Sequence, residues 1–259
     1  MVLLYEHPLS PYAQKVKIAL AEKNIPFECR LPDLFTGADE EFTAANPRRE
    51  VPALVDAGTA VFDSTIILEY IEDRWPSPAL LPEHAADRAR VRMLEEVCDT
   101  YYEPINWGVF EVRVFQRASG EKADQMLARA AEQIAGVNAY LERQLGERPY
   151  FNGSGFGWGD LAVVPFVHAA ALSGDAPPPQ SRLAAWLEQV RTRPSVAGVL
   201  QAALDSMTGF EAVPQLIASG QFVREYRDHR LEWMLRSGGA DVVLDGMRKK
   251  TIRFSHELK

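Results

Sequence analysis

Cysteine is scarce in these 259 residues, and the two present, Cys29 and Cys98, lie far apart with neither CxxC nor CxxH around them. A disulfide framework, a zinc site and a dithiol redox centre are therefore not expected, and both thiols read as core residues. Long apolar runs are missing too. None approaches the roughly 18 residues of a membrane span, and Met1-Val2-Leu3-Leu4-Tyr5 meets Glu6 too soon for a signal peptide. The expectation is a cytoplasmic protein with no membrane contact. Cations are outnumbered, 28 Lys and Arg against 36 Asp and Glu, and the net charge of -8 argues against nucleic acid as the partner. Arg248, Lys249, Lys250 and Arg253 make only the tail locally basic, which reads as a solvated end. There is no G-x-S-x-G turn for a serine hydrolase, no solenoid repeat and no low-complexity block.

What is present changes character along the chain. The first eighty or so residues alternate short strands with helical patterns, and the remainder shows helices alone. Val2 to Tyr5 reads as a buried strand, followed by the turn His7-Pro8-Leu9-Ser10-Pro11, because two prolines in four residues forbid a continued ladder. A helix follows with Tyr12, Val16, Ala19 and Leu20 at helical spacing; Asn24 suits its C-terminal end and Pro26 precedes the extended stretch Phe27 to Leu31. A short helix is expected around Ala38 to Ala45. Pro52 then opens a strand through Val55, Asp56-Ala57-Gly58 turns it, and Ala60 to Phe62 returns. Asp63-Ser64 caps a helix carrying Ile67, Leu68, Ile71 and Trp75. The order is βαβαββα.

Prolines at 76, 78 and 82 mark a linker over residues 76–86. Residues 1–75 and 87–200 are thus expected as two domains, the second all-helical. Its helices are read from Arg88 to about Phe115, with a kink at Pro104, and over Ala123–Leu145, Asp160–Leu172 and Leu183–Val190. Residues 201–259 form an extension whose Phe222, Tyr226, Leu231, Trp233, Met234 and Leu235 are too apolar for a free tail, so it is expected to pack on the helical domain.

Ser10-Pro11-Tyr12-Ala13-Gln14-Lys15-Val16 is similar to the first turn and helix of serine-type glutathione transferases. Asn46-Pro47 with Val51-Pro52-Ala53-Leu54 resembles their proline loop, Phe62-Asp63-Ser64 their glutamyl-binding turn, and Leu80-Leu81-Pro82 their linker entry. Gly157-Trp158-Gly159-Asp160-Leu161-Ala162 resembles the buried helix start of the second domain, and Leu183, Trp186 and Arg193-Pro194-Ser195 complete the set. The resemblance to the glutathione S-transferase superfamily, bacterial-like and with its class unresolved, spans roughly residues 1 to 200. It implies an α/β + α architecture, with an N-terminal thioredoxin-like domain and a C-terminal helical bundle, and a homodimer. It also implies a cis Pro52, glutathione as co-substrate, no metal, and a detoxifying transferase acting on a small hydrophobic electrophile. Asp160 reads as a folding device, its carboxylate completing a cap in which glycine replaces the usual hydroxyl.

A glutathione thiol has a pKa near about 8.5, so only a few per cent is thiolate at neutral pH. Lowering it by about two units takes roughly 2.7 kcal/mol of preferential anion stabilisation, within reach of a charge-assisted hydrogen bond plus a helix N-terminus. Ser10 is the expected catalytic residue, with the phenol of Tyr5 as the alternative donor; His7 reads as a turn-shaping residue. Arg49, Glu50, Val51, Pro52, Asp63 and Ser64 are the expected glutathione contacts: Val51 through its backbone, Ser64 for the glutamyl carboxylate and Asp63 for the ammonium. Glu50 departs from the family's usual amide or basic residue and opposes the glycyl carboxylate unless Arg48 or Arg49 compensates. Tyr12, Tyr101, Trp107, Phe110 and Phe115 are the expected second-substrate pocket. Other glutathione chemistry on the same scaffold (ether cleavage, dehalogenation, isomerisation) and a non-catalytic interaction module are the alternatives.

Overall fold

The computed structural model describes residues 1–33, 39–221 and 229–252. Strand β1 (Val2–Tyr5) leads into helix α1 (Pro11–Glu22), then β2 (Phe27–Arg30), α2 (Glu40–Ala45), β3 (Ala53–Asp56), β4 (Thr59–Phe62) and α3 (Ser64–Arg74). The strands form one sheet in the order β2-β1-β3-β4, with β1 parallel to β2 and antiparallel to β3. Alternation along β1 divides the sheet's two faces. Val2 and Leu4 join α1, α3 and the helical domain in the main core, while Tyr5 packs with Phe42, Ala45 and Ala53 in a smaller cluster under α2. Cys98 is buried, but Cys29 is exposed, because β2 is the sheet's outer strand.

The helical region comprises α4 (Ala85–Val97), α5 (Glu103–Arg113), α6 (Gly120–Leu145), α7 (Trp158–Leu172), α8 (Arg182–Arg191) and α9 (Pro194–Asp205). The expected continuous helix from Arg88 to about Phe115 is broken, not at Pro104 itself but just before it, by a turn of π-helix over Cys98–Tyr102. Proline at the second position of α5 has no intrahelical donor to lose, so the irregularity is absorbed upstream. α7 is apolar on every side and runs through the centre of the core. Its start is sealed by Asp160, whose buried carboxylate accepts from the N–H groups of Phe151 (2.8 Å), Asn152 (3.2 Å) and Gly157 (3.1 Å) and from Trp186 Nε1 (2.8 Å). Gly157 has no room for a side chain there, since a Cβ would run into the Leu80 carbonyl and Asn152.

The extension continues as a 3₁₀ turn at Phe210–Ala212, α10 (Val213–Ala218), α11 (His229–Arg236) and α12 (Ala240–Arg248). Phe210 packs against Phe110 and Phe115 at ring-centroid distances of 6.1 and 6.4 Å. Farther along, α11 and α12 pack on each other. Trp233 is left 66% exposed and Leu235 49%, contrary to the expectation that they would be covered: packing on α12 engages only one side of a two-turn helix. Phe222 and Tyr226 lie outside the described residues.

Candidate active site

The strand register brings the motifs to one end of the sheet. Tyr5 is opposite Ala53, and Ala53 is opposite Phe62. The residues just beyond them, Glu6 to Ser10, Val51-Pro52 and Asp63-Ser64, therefore emerge side by side at that end. The Val51–Pro52 bond is cis. Ser10 caps α1 in extended conformation, with its Oγ accepting from the Ala13 N–H at 3.3 Å. The turn before it is held by Gln14, whose Nε2 donates to the Pro8 carbonyl at 2.8 Å, and by the Ser10 N–H donating to the His7 carbonyl at 2.8 Å. Asp63 sits at a φ of 73° and caps α3 through the N–H groups of Thr65 and Ile66 at 3.1 and 3.3 Å, while Ser64 is buried in the first turn. Two helix N-termini thus open at the same sheet end, each a region of partial positive charge.

Tyr5 is not there. Odd-numbered positions of β1 face α2, so its ring packs on Phe42 at 5.3 Å and its hydroxyl meets Arg30 Nη1 at 3.4 Å, on the other face of the sheet from α1. The alternative donor is thereby withdrawn. His7 accepts from the Leu9 N–H through Nδ1 at 3.1 Å and shapes the turn; burial holds its pKa below the ordinary histidine value.

Tyr12 reaches across to the helical domain, where its hydroxyl donates to the Asp99 carbonyl at 2.9 Å. Burial first, then the nearby carboxylates of Glu103, Asp99, Glu50 and Asp63, push that phenol well above its usual range. The second-substrate candidates divide between two faces. Trp107, Phe110 and Phe115 form a tight aromatic group, with centroids 5.1 to 5.8 Å apart, which Phe210 joins. Glu103, whose charge reaches Tyr12, lies one helical turn before Trp107 on α5. Tyr101 is elsewhere: with Pro104, Ile105 and Gly108 it lines a groove between α5 and α6. Ordinary helical spacing is the reason: Tyr101 shares an i, i+3, i+4, i+7 stripe with Pro104, Ile105 and Gly108, and Trp107, six residues on, falls off it.

Beneath the site lies a buried polar cluster that sequence pattern does not announce. Lys15 is fully buried, with Nζ 2.6 Å from Glu95 Oε1 and 2.5 Å from Asp99 Oδ2. Thr65 Oγ1 and Trp158 Nε1 also donate to Glu95, at 2.9 and 2.6 Å. Burial opposes the Lys15 charge, but Asp99 and Glu95 outweigh it and hold the ammonium above the usual lysine range; burial raises the Asp99 carboxyl to about 6 despite Lys15. The cluster ties α1, the turn after Asp63 and the helical domain together. Its one legible signal is a lysine inside the stretch Ala13–Leu20, all of which is buried. No group of side chains suited to a metal ion occurs among the described residues, and no described helix is long and apolar enough to cross a membrane.

Comparison with known proteins agrees with this architecture. Residues 4–79 match the glutathione S-transferase N-terminal domain and residues 124–189 the C-terminal domain. Glutathione S-transferase 3 of Zea mays is 33% identical over 205 residues, which cover 74% of this chain and 90% of the maize protein. Glutathione S-transferase U25 of Arabidopsis thaliana is 30% identical over 229 residues, covering 83% and 94%. Among solved structures, rice GST1 in complex with glutathione has a TM-score of 0.70 and 28% identity, covering 83% of this chain and 97% of that one. A glutathione S-transferase from Methylobacterium radiotolerans in complex with glutathione sulfonate has a TM-score of 0.65 and 31% identity, covering 77% and 94%. The sheet order, the all-helical second half and the extent of these matches carry one conclusion: the chain belongs to the glutathione S-transferase family of enzymes.

Proposed function

We propose that the chain binds glutathione across the end of its sheet and activates the thiol through Ser10 for attack on a small hydrophobic electrophile. The single observation that carries this reading is the common sheet end shared by Ser10, Val51-Pro52 and Ser64. A hydroxyl that leads a helix can donate to a sulfur while the first amides of α1 point toward the same anion. Serine supplies a hydrogen bond and stays neutral; the sulfur is the nucleophile. The backbone of Val51 offers strand-like hydrogen bonds to the cysteinyl unit, Ser64 at the start of α3 takes the glutamyl carboxylate, and Asp63 takes its ammonium.

The electrophile's place is the aromatic group of Trp107, Phe110 and Phe210 beyond Tyr12, backed by buried Phe115 and suited to a flat, poorly solvated substrate. A cytoplasmic homodimer with a detoxifying role is the wider reading. For the dimer, the support here is the exposed apolar pair Ile66 and Met93 on α3 and α4, helices joined by the Arg92–Glu69 bond of 2.6 Å. Sedimentation velocity on the full chain checks it, and a monomer at micromolar concentration refutes it.

The test of the mechanism is the ultraviolet absorption of thiolate when glutathione is added at pH 7. The wild type is expected to show it. Ser10→Ala is expected to bind the peptide yet lose most of the signal. A variant that keeps the full signal removes Ser10 from the mechanism.

A further inference from the structure

Helix α5 begins on a break that ordinary winding would not give. At α-helical spacing the Glu103 N–H bonds to the Asp99 carbonyl. Here it bonds instead to the carbonyl of Cys98, across the π turn Cys98–Tyr102. Pro104, the next residue, has no N–H to offer. The Asp99 carbonyl therefore has no donor from its own helix at either spacing, and the Tyr12 hydroxyl supplies one from α1 at 2.9 Å. Lys15, one turn farther along α1, holds the carboxylate of the same residue at 2.5 Å. Helix α1 thus grips Asp99 twice, and only the Tyr12 bond bears on how the helix winds.

A tighter turn is the competing arrangement. Were Glu103 to return its N–H to Asp99, the one carbonyl left over by Pro104 would be that of Thr100, an exposed residue within reach of water. By bonding the carbonyl that only the wide turn leaves open, Tyr12 favours the wide turn. Its loss would rotate α5 about its axis relative to α4, and Trp107 and Phe110 with it. The Ser10 turn is held separately, by its own bonds with His7 and Ala13 and by Gln14 on Pro8. We infer that Tyr12 is a positioning residue for the proposed conjugation: its hydroxyl holds the π turn open and so sets the aromatic group of α5 against the sulfur at Ser10. With its one proton committed to Asp99, the phenol has none to donate to a substrate. This rests on the reading of the Ser10 end as a thiol site.

The test is Tyr12→Phe in the full chain, which keeps the ring that meets Phe166 edge-on at 6.3 Å and leaves the Lys15 pairs in place. Two electrophiles probe it: a dinitrophenyl halide, which needs the aromatic group, and iodomethane, which is too small to use it. In each, the sulfur forms its bond to carbon as halide leaves. Thiolate absorption on adding glutathione is expected to titrate with pH as in the wild type. The value of kcat/KM is expected to fall about 30-fold for the aryl halide and less than about threefold for iodomethane, because a misplaced reactant costs rate while the nucleophile is untouched. A crystal structure of the variant is expected to show the Glu103 N–H on the Asp99 carbonyl. Unchanged conjugation, an equal loss for both halides, a shifted thiolate titration, a π turn that persists or a variant that fails to fold each overturns the inference and leaves Ser10 activation standing. A wild type that forms the thiolate yet leaves the aryl halide unconjugated removes the aromatic site and this role with it. If the wild type forms no thiolate with glutathione, the thiol-site reading itself falls.

Discussion

Two helices of this molecule begin in opposite ways. At the start of α7, Asp160 takes three backbone N–H groups and an indole, and Gly157 leaves no space for a β-carbon, so every donor is consumed inside the core. At the start of α1 the cap is a single hydroxyl, 3.3 Å from one amide, at the edge of a groove. One N-terminus is spent on folding, and the other is the one proposed above to serve a ligand. The difference in burial between the two caps is what leaves the start of α1, and not that of α7, open for the proposed use.

The comparison can be broken most violently at the sealed end. Gly157→Ala is expected to destabilise the protein by about 3–5 kcal/mol, since neither the Leu80 carbonyl nor the Asn152 side chain can retreat without losing the hydrogen bond between them. Chemical denaturation measures it, and a loss below about 1 kcal/mol would mean that the start of α7 is looser than the packing indicates. At the open end, Ser10→Ala is expected to lower kcat/KM about 25-fold at pH 7, as the bound thiol's pKa climbs by about two units from about 6.5 and the thiolate fraction falls accordingly, while stability falls by only ~1 kcal/mol. A loss of stability matching that of the glycine variant would show that Ser10, too, is a folding device.

Smaller effects sharpen the contrast. Asp99 has a folded-state pKa of about 6 against an ordinary 3.8, so between those values the folded protein holds a proton that the unfolded chain has released. Stability from this group is therefore present below about pH 4 and declines as pH rises toward about 6, by roughly 1–3 kcal/mol. Asp99→Asn removes that slope. Melts of the two proteins at pH 4 to 7 are expected to differ most across this window and to run parallel above it; parallel curves throughout would contradict the burial of Asp99. Least of all, Phe210→Ala is expected to raise KM for an aromatic electrophile by a fewfold to about tenfold with KM for glutathione unchanged, the effect of losing one wall of an apolar site.

Much of this was readable from residue spacing. Pro11 after Ser10, Pro52 opening a strand and Asp63 before a helical pattern each constrain the backbone locally, and the strands and helices fall where those signals put them. What was hidden depended on register and long-range pairing. Whether Tyr5 faces α1 or α2 is settled only when β1 takes its place between two strands. Tyr101 and Trp107 share an aromatic run, but six residues is not a whole number of helical turns, so the two face apart. Phe210 lies beyond any recognisable motif, and nothing local to Lys15 reveals that its partners stand eighty residues away.

Lys15 has a last consequence, for the protein's descent. Its ammonium answers two acids, Glu95 and Asp99, in a place water does not reach. Losing Lys15 alone leaves two carboxylates facing each other in the interior, whereas losing Asp99 leaves the balanced pair of Lys15 and Glu95. Single-step substitution of Lys15 is therefore disfavoured, and relatives that differ there are expected to differ at Glu95 or Asp99 as well. Their energies should be strongly non-additive when the three are altered in combination.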